Sequence, residues 1–86
     1  MRLDKFLKVS RIIKRRTLSK EVADQGRVSI NGVVAKASSV VKVKDELKIR
    51  FGQKIATISV NELKETSKKE ESAGMYTVVS EEKIES

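Results

Sequence analysis

Apolar residues recur along this chain first with a helical period and then with a period of two. Leu3, Phe6 and Leu7 fall at i, i+3 and i+4, which predicts a short amphipathic helix whose other face carries Arg2, Lys5 and Lys8. Residues 10–16 read as a connection anchored by Ile12 and Ile13 and ending in Lys14-Arg15-Arg16. Thr17 is the expected N-cap of a second helix, because its hydroxyl can accept from a free first-turn amide. Leu18 and Val22, one turn apart, are expected to face the core with Ala23 beside them. Gly26 should end the helix, since glycine takes up the left-handed conformation of a C-terminal cap at least cost.

From Arg27 the pattern changes. Val28 and Ile30 alternate with Ser29, Asn31-Gly32 marks a tight turn, and Val33-Val34-Ala35 follows. Val41 and Val43 alternate with lysines before a turn at Asp45-Glu46, which predicts a further strand. Leu47, Ile49 and Phe51 alternate with Lys48 and Arg50 in the clearest strand signal of the chain. Gly52-Gln53 turns it, and Ala56, Ile58 and Val60 supply the next core strand. Two short helices packed on a small antiparallel sheet give an α+β pattern. Residues 61–86 are expected to form an acidic C-terminal extension, partly mobile, beyond a domain spanning 1–60. Within that extension Met75 to Val79 is a late β-prone patch that could dock as an extra strand.

With 86 residues and only 3% aromatics, the chain can build one modest aliphatic core. The absence of cysteine fits a reducing compartment, and the longest apolar run, Val33-Val34-Ala35, is far short of the roughly 20 residues of a membrane helix. A cytoplasmic protein with no membrane association is expected. Charge alters the picture most. The net charge is +7, and it is uneven. Residues 1–30 carry nine Lys/Arg against three Asp/Glu, residues 31–60 six against two, and residues 61–86 four against seven. A basic body with an acidic end implies a polyanionic partner for the body.

Catalysis is poorly served. The chain has no His and no Cys, so the commonest general bases, nucleophiles and metal ligands are missing. The glycines at 26, 32, 52 and 74 are too far apart for a nucleotide-binding loop. No catalytic residue, metal ligand or cofactor is expected, and the chain reads as a binding protein. The start of the second helix offers amides and a positive dipole end, and Arg15 and Arg16 stand beside it. Helix amides and guanidinium forks together suit a phosphate. Lys36, Lys42, Lys44 and Lys48 read equally well as contacts or as ordinary outward strand positions. No helix carries Asn, Gln and Arg at base-reading spacing, and few aromatics remove single-strand stacking platforms. Contacts to phosphates and shape, as in structured RNA, fit best.

The runs R-L-D-K-F-L at 2–7, R-R-T at 15–17, G-R-V-x-I-N-G at 26–32 and D-E-L-K-I at 45–49 resemble the alpha-L RNA-binding motif, the "S-four" domain. The resemblance spans residues 1–60. It implies two helices on a small sheet, with the basic helical face gripping folded RNA. Carried over by position, the implied RNA-binding residues are Arg2, Lys5, Lys8, Arg15, Arg16 and Arg27. Asp4 is implied to be structural, paired near the arginines, while Gly26, Asn31 and Gly32 shape turns.

Larger family members add a catalytic domain such as a pseudouridine synthase or a tyrosyl-tRNA synthetase, whereas this chain adds only a short acidic tail. F-G-Q-K at 51–54, V-N-E-L-K at 60–64 and K-K-E-E at 68–71 draw it toward the stand-alone members of ribosome-associated quality control. That resemblance implies a monomer on large ribosomal subunits whose nascent chain is obstructed. There it would bind large-subunit rRNA and the P-site peptidyl-tRNA and assist an RqcH-type factor in alanine tailing. The alternatives are a heat-shock-type large-subunit rescue factor and a general structured-RNA binding or ribosome assembly protein.

Overall fold

The computed structural model describes residues 1–64 and 68–83, with all their side chains except those of Arg16, Phe51, Lys69, Glu71 and Ala73. The elements run α1 (Leu3–Val9), α2 (Arg16–Asp24), β1 (Val28–Ile30), β2 (Val33–Val34), β3 (Glu46–Phe51), β4 (Lys54–Val60), α3 (Lys69–Ser72), a 3-10 turn (Ala73–Met75) and β5 (Tyr76–Lys83). The strands form one antiparallel sheet in the order β2-β1-β3-β4-β5.

Burial follows the two periods. Leu3, Phe6 and Leu7 of α1 are fully buried, and they meet Val28, Leu47, Ile49, Ile58 and Val60 from the sheet. Each such side chain contributes about 1.5–3 kcal/mol by leaving water. The register sets Leu47 opposite both Ile30 and Ile58, and Ile49 opposite Val28 and Ala56, so one face of the sheet is continuously apolar. The late β-prone patch does dock: β5 pairs with β4 from Lys54↔Lys83 to Val60↔Tyr76, with a bulge between Thr57 and Ile58. Met75, just before it, is fully buried in the core. The sheet and core therefore run past Val60, where the motif resemblance ends.

Three local expectations are corrected. Thr17 lies inside the first turn of α2 and is not its cap; the N-cap is Arg15, extended at φ −110° and ψ 127°, with no side-chain capping bond. The Ser19 amide donates to the Arg15 carbonyl at 2.9 Å, the first bond of the helix, which fixes that assignment. This phase turns Leu18 outward, 48% exposed, and buries Ser19 with Val22 and Ala23. Ser19 can sit inside because its hydroxyl donates to the carbonyl of Arg15 at 3.0 Å. The alternation at Val41 and Val43 is not a strand. Val41 is buried but Val43 is 49% exposed. A turn holds the segment: the Asp45 carboxylate accepts from the Lys42 amide at 2.9 Å, and Lys44 takes φ 76°.

The Gly26 stop is as expected. Gly26 takes φ 75°; its amide donates to Ala23 and that of Arg27 to Val22, so the last carbonyls of α2 are satisfied in a Schellman arrangement.

Candidate nucleic-acid interface

The two helices carry most of the sequence-predicted contact residues, and α1 packs directly on α2. Arg2 is the N-cap of α1 and Lys5 and Lys8 follow at three-residue spacing along it. Arg15 occupies the N-cap position of α2 without a side-chain capping bond and is exposed. Arg16 is the first residue of α2, and its side chain lies outside the described residues. Arg27 is exposed just beyond Gly26. The nine residues of α2 separate it from Arg15 by a helix of about 13 Å. The structure thus gathers Arg2 and the start of α2 at one end and leaves Arg27 at the other.

Arg2 is held in place. Its Nε donates to Asp4 Oδ1 at 3.2 Å and its Nη2 to Asp4 Oδ2 at 3.4 Å. The Asp4 carboxylate also accepts from the Lys5 amide at 2.9 Å. The acid is buried, its side chain 4% exposed, while that of Arg2 remains 54% exposed. A fork bound on one edge keeps donors free on the other, so Asp4 orients Arg2 without consuming it. Arg2, Asp4, Thr17 and Lys20 together line an open depression of about 410 Å³ between the helices.

The two helix starts differ. In α1 the Leu3 amide donates to Ser39 O at 2.8 Å and that of Asp4 to Ala37 O at 3.2 Å, so its first donors are consumed by the loop before β3. At α2 no side chain caps the start. Of the two, α2 is the end suited to an anion.

Lys14 and Lys20 also belong to this surface, although the resemblance did not select them. Among the described residues, Lys8, Arg11, Lys14, Arg15, Lys20 and Arg27 make no salt bridge, so their charge is not neutralised within the fold. Helical spacing puts Lys20 on the same face of α2 as Arg16 and Thr17, but the packing of α1 on α2 is what brings it to Arg2. Arg11 takes φ 63° at the C-terminal side of α1, where its amide donates to Lys8 O. Glycine is the default there, and a side chain costs about 1–2 kcal/mol.

Asn31 does more than turn a hairpin. At φ 51°, it donates from Nδ2 to Asp45 at 3.1 Å and accepts at Oδ1 from the Glu46 amide at 2.9 Å. The β1–β2 turn is thereby tied to the start of β3.

This arrangement of two helices on an antiparallel sheet meets a known family. The S4 domain matches residues 1–47. The chain belongs to the S4 domain family. Along its whole length this S4 protein is 74% identical over 84 residues to the "RQC P-site tRNA stabilizing factor" of Bacillus subtilis (strain 168), covering 98% of each chain. The factor of the same name from Streptococcus pneumoniae (strain ATCC BAA-255 / R6) is 58% identical over 85 residues, covering 99% of this chain and 97% of its own. Among solved structures, the trimeric heat shock protein 15 of Vibrio cholerae superposes with a TM-score of 0.85 at 29% identity, covering 92% of this chain and 81% of that one. The S4 fold, including its fifth strand, is therefore shared well beyond the matched 47 residues.

Proposed function

We propose that this protein is a non-catalytic RNA-binding factor of ribosome-associated quality control that holds P-site peptidyl-tRNA on the obstructed large ribosomal subunit. The observation that carries the reading is the 74% identity to the Bacillus subtilis factor across 98% of both chains. The cation arrangement supports it. Arg2 and Lys20 flank one depression, Lys14 and Arg15 stand beside the uncapped start of α2, and Arg27 lies a helix length away. Such a spread suits contact with two RNA elements at once, one in large-subunit rRNA and one in tRNA. Simultaneous contact raises the effective concentration of each element at the other and slows tRNA loss. In this reading the protein acts in the cytoplasm as a monomer and supports alanine tailing by an RqcH-type factor. It contributes position and charge, and the chemistry of tailing resides elsewhere. The heat-shock-type reading rests on relatives of only 29% and 31% identity, the second matched over 64% of its own length, and is the weaker one.

Cosedimentation with separated ribosomal subunits, followed by crosslink mapping, tests the reading. Migration with large subunits bearing peptidyl-tRNA, and crosslinks to both rRNA and tRNA, are expected. Equal binding to naked duplex DNA would instead identify a general polyanion binder.

A further inference from the structure

A second hollow lies on the far side of the α2 start from the Arg2 depression. It has about 400 Å³ and is lined by Ile12, Ile13, Lys14, Arg15, Leu18 and Val22. Its floor is aliphatic, and its two cations stand at the rim. Leu18 is the one large apolar side chain exposed on a helix among the described residues; the others exposed are valines of β2, β5 and the loop before β3. A lone exposed leucine needs no explanation. Here it continues an apolar surface formed by Ile12 and Val22 and meets two unneutralised cations.

We propose that this hollow receives one unpaired nucleotide of the bound RNA, with its base on Leu18 and Ile12 and its phosphate at Lys14 and Arg15. The inference rests on the RNA-binding reading above and adds a base contact to it. Charge complementarity selects the occupant: a nucleotide combines an apolar flat face with an adjacent anion, matching an aliphatic floor with a cationic rim. A paired base cannot enter, because its faces are covered by its neighbours in the stack. The occupant must come from a bulge, loop or end of folded RNA. The volume lies within the 300–1,000 Å³ range of small-ligand pockets (about 400 Å³ here). Contact is by dispersion and removal of apolar surface from water, with no aromatic ring required.

The test uses the full chain and two labelled RNA hairpins, one with a single bulged adenosine and one fully paired. Fluorescence anisotropy should show the wild type binding the bulged hairpin about tenfold tighter, the effect of burying one leucine-sized apolar contact. Leu18→Gln, which keeps helix propensity, should abolish that preference while leaving affinity for the paired hairpin and its salt dependence unchanged. Leu18→Met should retain the preference, and Arg15→Ala should weaken both hairpins together. A mutation-free arm places 2-aminopurine at the bulge, where its fluorescence should change on binding. Equal wild-type binding to both hairpins, a parallel loss in Leu18→Gln, or silent 2-aminopurine would overturn the inference while leaving RNA binding intact. Failure of the wild type to bind either hairpin would contradict both.

Discussion

If Asp4 acts on RNA binding through Arg2, then removing its charge should have opposite effects depending on whether Arg2 is present. Asp4→Asn keeps the shape and the Oδ1 acceptor shared by the Lys5 amide and Arg2 Nε, but it puts an NH2 in place of Oδ2, so the Arg2 Nη2 bond at 3.4 Å is lost and the one at 3.2 Å no longer reaches a carboxylate. Held by one weaker bond in place of two, Arg2 explores more of its rotamers. An arginine side chain carries about 2 kcal/mol of rotamer entropy. Because Arg2 is already half exposed, about 1 kcal/mol of ordering is a reasonable share to reappear on binding. Against this, a carboxylate about 8 Å from a bound phosphate repels it by roughly 0.5 kcal/mol in water. The ordering effect wins by about 0.5 kcal/mol, or roughly a twofold loss of affinity.

In an Arg2→Ala background there is nothing left to orient, and only the repulsion remains. Asp4→Asn should then tighten binding about twofold, giving a coupling of about 1 kcal/mol between the two sites. The assay is anisotropy with a structured RNA at low salt, with thermal melts alongside. The melts should show Asp4→Asn losing about 1–2 kcal/mol of stability, a fall of about 5–15 °C for a domain of this size. If Asp4→Asn tightens binding by the same factor in both backgrounds, Asp4 is merely a repulsive charge and the positioning role is refuted.

Other outcomes are equally open to measurement. Four to six phosphate contacts should give log K against log salt a slope near −3 to −5, flattened by about one unit in Arg15→Ala; a slope near zero would rule out phosphate contacts as the main term. Gly26→Ala places a Cβ at φ 75°, 3.6 Å from Val34 Cγ1, so strain is expected to cost about 1–2 kcal/mol in chemical denaturation, and an unchanged midpoint would contradict the conformational argument. Truncation after Val60 removes the buried Met75 and strips β5 from β4, which should lower or abolish the cooperative thermal transition; an unaltered transition would show that the first 60 residues fold alone.

Much of the fold was legible because its signals are local. The spacing of Leu3, Phe6 and Leu7, the glycine at 26, the β3–β4 alternation and the late Met75–Val79 patch each needed only neighbouring residues to be read. The misreadings came where a distant or unusual partner decided the outcome. Thr17 looked like a cap, but the carbonyl that accepts the first helical bond belongs to Arg15. Leu18 looked like core, but Ser19 takes the inward position because carbonyls of Arg15 and Ile13 satisfy its hydroxyl. Val41 and Val43 alternate as a strand does, yet Asp45 folds them into a turn. At the interface the resemblance supplied Arg2, Lys5, Lys8, Arg15, Arg16 and Arg27 by position. It passed over Lys20, which reaches the Arg2 depression only because α1 and α2 pack together. The backbone of Arg11 was hidden too, since nothing in a one-dimensional pattern marks an arginine in a glycine conformation.

The central claim is that the protein acts by retaining tRNA, and one measurement addresses it directly. Large subunits bearing labelled peptidyl-tRNA are incubated with the purified protein and an RqcH-type factor, and tRNA dissociation is followed in the same reaction as alanine addition. The protein is expected to slow dissociation and to raise alanine addition in step, and an Arg15→Ala,Arg16→Ala variant should lose both together. If that variant abolished alanine addition while tRNA remained bound as long as with the wild type, the site would matter but retention would not be its mechanism.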